Sequence, residues 1–441
     1  MLMNKGVFFQ NKSIAFLLAF LLAAAGLGAC SPIREITEDI KEVAIETVTQ
    51  NLPTAEETLT SLLEINRAMD EAMSRGEEEL TFYAADIGEN ELRNIAENLS
   101  TFWGKPVKYS INQVFPDLEG IVPGRAVDVR NITNYFELSS NFYVYDYIRN
   151  GNPIPDDKTH AKKIAELLPL IQKETLSDPN ASDYDKTLAV HDWLVATIDY
   201  DETVPAISEE NGSYGAIVHG RTMCQGYAEA LELILRCYTD VEIVQIVGEA
   251  LNYGNIALAP VDTDHPDDPD KAESTDNAEA GQPGEEPAPP ADPAGGGWGG
   301  HAWNAVKMDG AWYQIDTTFN DPRGNPPGQV SHFYFGQTDE VMSQNHRWAA
   351  DYFPVSDTEN FLFFRKSNLF AEGWDDFQNM FTELLNEQKI TTIEFAIQGA
   401  KIDADNIQFI YKINQDIEEI RWSEQVWQDI CVNFIELVYY Q

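Results

Sequence analysis

Positive charge is scarce in this 441-residue chain: Lys and Arg number 29 against 73 Asp and Glu, for a formal net charge of −44. So acidic a protein repels a phosphate backbone and an anionic bilayer alike, which argues against either as a partner, and no nucleic acid is expected. The excess acid is read as a solvating surface. Cysteine is rare as well. The four present are Cys30, Cys224, Cys237 and Cys431, too few for a disulfide-dense scaffold and without the close paired spacing of an ordinary zinc site. No metal and no cofactor is therefore expected. Long apolar runs are missing too; the stretch from Ile14 to Ala25 is short for a membrane span. What remains is 43% hydrophobic and 11% aromatic, enough for two or three domains with a sizeable core.

The first thirty residues stand apart from any fold. Lys5 and Lys12 precede that apolar run, and Leu27-Gly28-Ala29-Cys30 resembles the signal box of bacterial lipoproteins. The resemblance implies cleavage before Cys30 and lipidation of its thiol. The mature chain would then be lipid-anchored at the cell membrane, facing outside the cytoplasm.

The richest stretch runs from Tyr214 to Tyr238. Tyr227, Leu231, Ile234, Leu235 and Tyr238 recur at helical spacing, so a helix buries one face and begins at or just before Cys224. A thiol at a helix N-terminus meets unpaired N–H groups and the positive end of the macrodipole, which favour the thiolate. An odd number of thiols after Cys30 also leaves at least one free. Cys237 lies too far along the same helix to pair with Cys224. Cys237 and Cys431 could bridge, but two buried free thiols are the preferred reading.

A base and an orienting carboxylate come from residues 301–316. Asp309-Gly310 is a two-residue type I′ turn signal between β-rich runs. It pairs Met308 with Ala311, Trp303 with Asp316 and His301 with Thr318. His301 and Asp316 then project from one face of the hairpin as diagonal neighbours, within reach of a hydrogen bond. A three-residue loop with a bulge would break that parity.

The run Gly220-Arg-Thr-Met-Cys224-Gln-Gly-Tyr-Ala228, the strand His301-Ala-Trp-Asn304 and the strand Trp312-Tyr-Gln-Ile-Asp316-Thr-Thr318 resemble the three blocks of the transglutaminase-like superfamily. The resemblance extends from about Ser182 to about Trp348, with a long insertion before His301. It implies an α+β fold with a papain-like core, in which a helix bearing the cysteine packs on an antiparallel sheet. It also implies Cys224 as nucleophile, His301 as base and Asp316 as orienter. Gln225, Tyr214 and Trp303 are candidates for an oxyanion donor or a substrate subsite.

Around this core the domain boundaries read as a signal peptide at 1–29, a helical spacer at 30–77, a small α/β module at 78–155, the core at 156–355 and a C-terminal α/β module at 356–441. Within the core, residues 260–300 carry eleven Asp or Glu, one Lys and no apolar periodicity, so they are expected to be disordered. Leu80–Asp86 plus its following helix resembles Phe361–Lys366 plus its own, which raises the possibility of a duplicated module. Tyr135–Arg149 reads as a long strand or hairpin. His191 sits in the apolar stripe of a helix capped by Ser182 and is read as structural, His219 as a loop or subsite residue. The expected function is thiol-dependent acyl transfer on peptide or Gln/Asn carboxamide bonds, hydrolytic rather than cross-linking, with a protein or peptide substrate at the cell envelope. A catalytically idle surface-binding module is the alternative; Cys224, His301 and Asp316 as zinc ligands is a third reading. Nothing in the sequence bears on oligomeric state.

Overall fold

The computed structural model describes residues 58–98, 101–115, 129–206, 208–251, 297–321, 330–387, 390–403 and 406–440. Cys30, the signal segment, the spacer up to residue 57 and nearly all of the acidic insertion lie outside them; Trp298–Gly300, expected to be disordered with the insertion, open a strand instead. The chain divides into two compact units, Met1–Phe142 and Tyr143–Gln441.

The first unit is a four-stranded sheet with helices. Its elements are β1 (Thr58–Leu59), α1 (Leu62–Ser74), β2 (Glu79–Ala85), α2 (Glu89–Asn98), β3 (Gly104–Phe115) and β4 (Val129–Leu138). The strand order is β1-β2-β4-β3, with β1 and β2 parallel and the remaining pairs antiparallel. Ser61 starts α1 through a capping box: its hydroxyl accepts from the Glu64 N–H while the Glu64 carboxylate accepts from the Ser61 N–H. The helix reads as part of a spacer running to residue 77, with packing onto the domain equally open. Ile65, Met69, Ala72 and Met73 are buried along it, each large side chain contributing about 1.5–3 kcal/mol, so it packs and the module begins by Thr58. The strand expected through Arg149 ends at Leu138, because the Ser139 hydroxyl accepts from the Phe142 N–H and turns the chain into a short helix, Ser140–Tyr145.

The second unit holds the core. Helix α3 (Thr159–Thr175) and helix α4 (Asp183–Thr197) precede β5 (Asp199–Tyr200), which pairs in parallel with β6 (Arg221–Thr222). The expected Ser182–Asp185 capping box is present on α4. Helix α5 (Cys224–Tyr238) follows at once and packs on β7 (Ile243–Leu251) and β8 (Trp298–Met308). Its predicted apolar stripe is the core: Tyr227, Leu231, Ile234 and Leu235 are wholly buried. With β9 (Ala311–Ile315), β10 (Phe335–Gln337) and β11 (His346–Arg347), the strands make an antiparallel sheet in the order β10-β9-β8-β7-β11.

A second four-stranded sheet follows, from β12 (Phe370–Ala371), α6 (Trp374–Glu387), β13 (Thr392–Gln398), β14 (Ile417–Trp427) and β15 (Ile430–Tyr439), with a short helix at Gln408–Ile413. Its order, β12-β13-β15-β14, with a parallel first pair and antiparallel remainder, repeats that of the first unit. The duplicated topology is therefore present, but in a different alignment. The counterpart of β2 is β13, whereas Phe361–Lys366 is no strand: it forms a helix at Leu362–Lys366. Phe361 enters it at φ +54°, and Phe361 and Phe364, three apart, bury together.

Cys224, Cys237 and Cys431 are all free thiols, the last two buried. The insertion leaves and rejoins the sheet as a pair, since Leu251 lies opposite Trp298. Its removal therefore shortens a loop closed at the same stem. Replacing residues 253–296 by a short Gly/Ser linker should stabilise the fold by at most about 2 kcal/mol, at about 0.6 kcal/mol per halving. Calorimetry should show a melting temperature unchanged or slightly raised; a fall of more than about 5 °C would show that the segment is packed.

Candidate active site

Cys224 is the first residue of α5, after a Met223 N-cap with extended backbone and no side-chain cap. Its position is set by close packing beneath it. A Cβ on Gly226 would stand 2.0 Å from the Thr222 hydroxyl oxygen, so only glycine lets the first turn of α5 lie against β6. Thr222 is itself buried, its hydroxyl donating to the Glu210 carbonyl at 3.1 Å. On the far side the Asn304 side-chain amide donates to the Ala228 carbonyl at 3.2 Å, tying β8 to the helix.

The hairpin turns as its sequence predicts. Asp309 and Gly310 both have positive φ, +52° and +91°, the type I′ signature. The register is Met308 opposite Ala311 through to Asn304 opposite Ile315. No bulge intervenes, and His301 and Asp316 meet: Nε2 lies 2.7 Å from Asp316 Oδ2. Asp316 is fully buried. Its Oδ1 accepts from the Phe319 N–H at 3.0 Å, and its Oδ2 has a second imidazole, His346 Nε2, at 2.9 Å. No local pattern marks His346 for a role; thirty residues separate it from Asp316, and only the sheet order brings β11 close.

The electrostatics follow from this geometry. Burial opposes the Asp316 charge, but His301 and then His346 overcome it and hold the carboxyl well below its ordinary range. Burial also opposes a charged His301, yet Asp316 and then Cys224 push it up to about 10. For Cys224, burial alone would raise the thiol; the hydrogen bond and charge of His301, with the Ala302 N–H, bring it below its ordinary value. Both shifts favour a thiolate–imidazolium pair at a helix N-terminus. By contrast, burial pushes Cys237 up to about 12 and raises Cys431.

The three candidates for a side-chain oxyanion donor have other commitments. Trp303 is fully buried, and its Nε1–H donates to Gln314 Oε1 at 2.6 Å; its ring instead lies beside His301, with centroids 5.8 Å apart. The Gln225 amide donates to Glu229 at 2.8 Å. Lys163 donates to the Tyr214 hydroxyl at 3.0 Å, and the Tyr214 ring packs on His160. Trp303 is thereby spoken for, whereas Gln225 keeps a second amide N–H and Tyr214 its own O–H; the backbone N–H groups opening α5 lie at Cys224 itself.

His219 is half-exposed on Glu210, its Nδ1 2.5 Å from the carboxylate. His191 is buried, as expected of a structural residue, but in a polar network rather than an apolar one. The Tyr334 N–H donates to Asn320 Oδ1 at 2.8 Å, so Asn320 Nδ2 donates to His191 Nε2 at 2.9 Å. The proton of His191 is then on Nδ1, facing Asp192 Oδ1 at 2.8 Å. His332 lies between Asp192 at 3.0 Å and Glu394 at 2.9 Å, stacked on Phe363. Though burial opposes it, these carboxylates push His332 up to about 9. With both imidazoles protonated toward Asp192, this grouping does not suit a cation. Nor do Cys224, His301 and Asp316 converge as ligands, because His301 bonds both of the others.

The thiolate is present above the lowered Cys224 pKa and lost as pH falls through it. The imidazolium is present below about pH 10 and lost above. Alkylation of Cys224 should therefore persist below the ordinary thiol value of about 8.5. His301→Ala should slow it at pH 7 at least about tenfold, one pKa unit, while Cys237 and Cys431 stay inert. Peptide mapping after iodoacetamide checks this; equal labelling of Cys224 with and without His301 would refute the ion pair.

Residues 172–317 match the family model of the transglutaminase-like superfamily. No curated protein is significantly similar to the chain. Similar solved structures include a proposed cysteine protease from Cytophaga hutchinsonii, 13% identical, covering 57% of this chain and 77% of that one with a TM-score of 0.22. A TGase is likewise 13% identical over 62% and 61%, at 0.22, and a proposed protease from Parabacteroides distasonis is 8% identical over 82% and 66%, also at 0.22. At these scores the structures carry no argument about chemistry, which rests on the side chains and on the family match. Cys224, His301 and Asp316 fall inside the matched span, and residues 172–317 are a transglutaminase-like core domain.

Proposed function

We propose that the protein is a thiol-dependent acyl-transfer enzyme acting on peptide bonds or Gln/Asn carboxamides through a thioester. One observation carries the reading: a thiol at a helix N-terminus, paired with an imidazole that is in turn held by a buried carboxylate. In the first half-reaction the Cys224 thiolate attacks the carbonyl carbon, and the oxyanion is held by N–H groups at the start of α5. The His301 imidazolium then gives its proton to the departing amine or ammonia as the C–N bond breaks. In the second, neutral His301 takes a proton from water, the hydroxide adds to the thioester, and the C–S bond breaks to release acid and thiolate. Asp316 keeps its own charge throughout and aligns the imidazole.

Water is the default acceptor, so hydrolysis is proposed over cross-linking. Location is part of the proposal. The Leu27–Cys30 box would place the chain on a membrane outside the cytoplasm, with a protein or peptide substrate at the cell envelope; its acidity argues against nucleic acid.

Incubation with mixed proteins and a labelled primary amine, read by mass spectrometry, should show cleavage or deamidation that Cys224→Ala abolishes. Asp316→Asn should lower turnover by orders of magnitude without unfolding. Incorporated amine with no hydrolysis would overturn the choice of acceptor. No product from a reactive Cys224 would favour a binding role. For the anchor, Cys30→Ala should release the chain from membranes, and unchanged membrane association would remove that assignment.

A further inference from the structure

Asp316 Oδ2 has two imidazole neighbours of nearly equal closeness, His301 Nε2 at 2.7 Å and His346 Nε2 at 2.9 Å. An ionised carboxylate only accepts, so a ring nitrogen at that distance carries a proton. His346 is buried, its ring is boxed by Trp303, Phe319 and Tyr334 with centroids 4.8, 5.1 and 5.7 Å away, and its other nitrogen also faces acceptors, Nδ1 lying 2.7 Å from Asn345 Oδ1 with the Met342 carbonyl beside it, so the geometry calls for a proton on each nitrogen. Asn345 is held in its turn, by its amide on the Tyr334 hydroxyl at 2.6 Å and by its carbonyl, which accepts from the Leu251 N–H at 2.9 Å. An apolar residue could fill that aromatic box. It could not supply the second donor.

We propose that His346 is a positioning residue of the site: its Nε2–H fixes the Asp316 oxygen against which His301 is aligned, and through His301 it sets the reactivity of Cys224. The inference rests on the thiol-enzyme reading above and adds a residue beyond the 172–317 span of the family match. The groups able to titrate or carry charge around His346 are Asp316, His301, whose ring is 5.5 Å away, and the Tyr334 hydroxyl; Cys224 is reached through His301. Without the His346 donor, one lone pair of a buried carboxylate is left unmet and Oδ2 is held by the very ring it should orient.

The test uses the full chain and no substrate. The rate of Cys224 alkylation by iodoacetamide is measured against pH for wild type, His346→Leu and His346→Gln, with melting curves for each. The Leu variant should fold but react about tenfold more slowly at pH 7, the equivalent of one pKa unit, with its profile displaced along the pH axis. Gln, whose amide can donate to Oδ2, should recover most of the rate. A Leu profile that superimposes on wild type, or folded Gln and Leu variants that are equally slow, would overturn the proposal. Should both variants fail to fold, the ring-nitrogen NMR spectrum of the wild-type chain decides: Nε2 of His346 is expected to be protonated at neutral pH, and a bare Nε2 refutes the donor. A wild-type Cys224 no more reactive than Cys237 would strike instead at the thiol-enzyme reading, leaving the ring spectrum to judge His346 by itself.

Discussion

A carboxylate sealed from water is the constraint on which the second unit depends. Taking an ion out of solvent costs several kcal/mol even after the protein relaxes, so Asp316 is tolerable only where donors converge on it. They come from separate parts of the fold: His301 from β8, His346 from β11 and the Phe319 N–H from the loop after Asp316 itself. The backbone at Asp316 is anchored as well, its N–H on the Tyr334 carbonyl at 3.0 Å. The sheet must bring β11 and β8 to either side of β7, as it does, or this charge has no home. Catalytic alignment and structural satisfaction are thus one requirement met by the same hydrogen bonds.

Much of this was legible from local rules. The apolar spacing after Gln225 located α5, and the Asp309-Gly310 turn set a register whose parity put His301 and Asp316 on one face. Both depend on short-range geometry, in which few alternatives compete. What escaped depends on sheet order. Nothing near His346 says that β11 will sit beside β7, whereas the Trp303–Gln314 bond is the same hairpin diagonal as His301–Asp316 and follows from the same register. Only long-range partners are hidden in this way, as Lys163 on the Tyr214 hydroxyl is; Glu229 lies one turn from Gln225 on the same helix. Phe361–Lys366 failed differently. Its aromatic run suits a strand, but burial of Phe361 with Phe364 at helical spacing prevailed over propensity.

A second buried polar network lies outside the triad and obeys the same logic. One backbone donor, the Tyr334 N–H, orients Asn320; Asn320 sets the tautomer of His191; and the series ends at Asp192, His332 and Glu394 on β13. Tyr334 also carries the hydroxyl that holds Asn345. One residue therefore serves both networks, by its main chain in one and its side chain in the other. Such fully satisfied networks make a core specific, since few alternative packings could meet every donor and acceptor at once.

The stem of the insertion has a consequence for how this protein can change. Leu251 and Trp298 leave the sheet as paired neighbours, about 5 Å apart as antiparallel partners are, and Arg347 lies 3.6 Å from the Trp298 ring centroid to brace the pair. The join is only three residues from His301, yet both strands are already committed to their register when they reach it. Any polypeptide whose own ends lie close together could be spliced there, from a few residues to a whole folded domain. The position is a natural graft point: new recognition elements can be tried beside the thiol while the scaffold that makes it reactive is left unaltered.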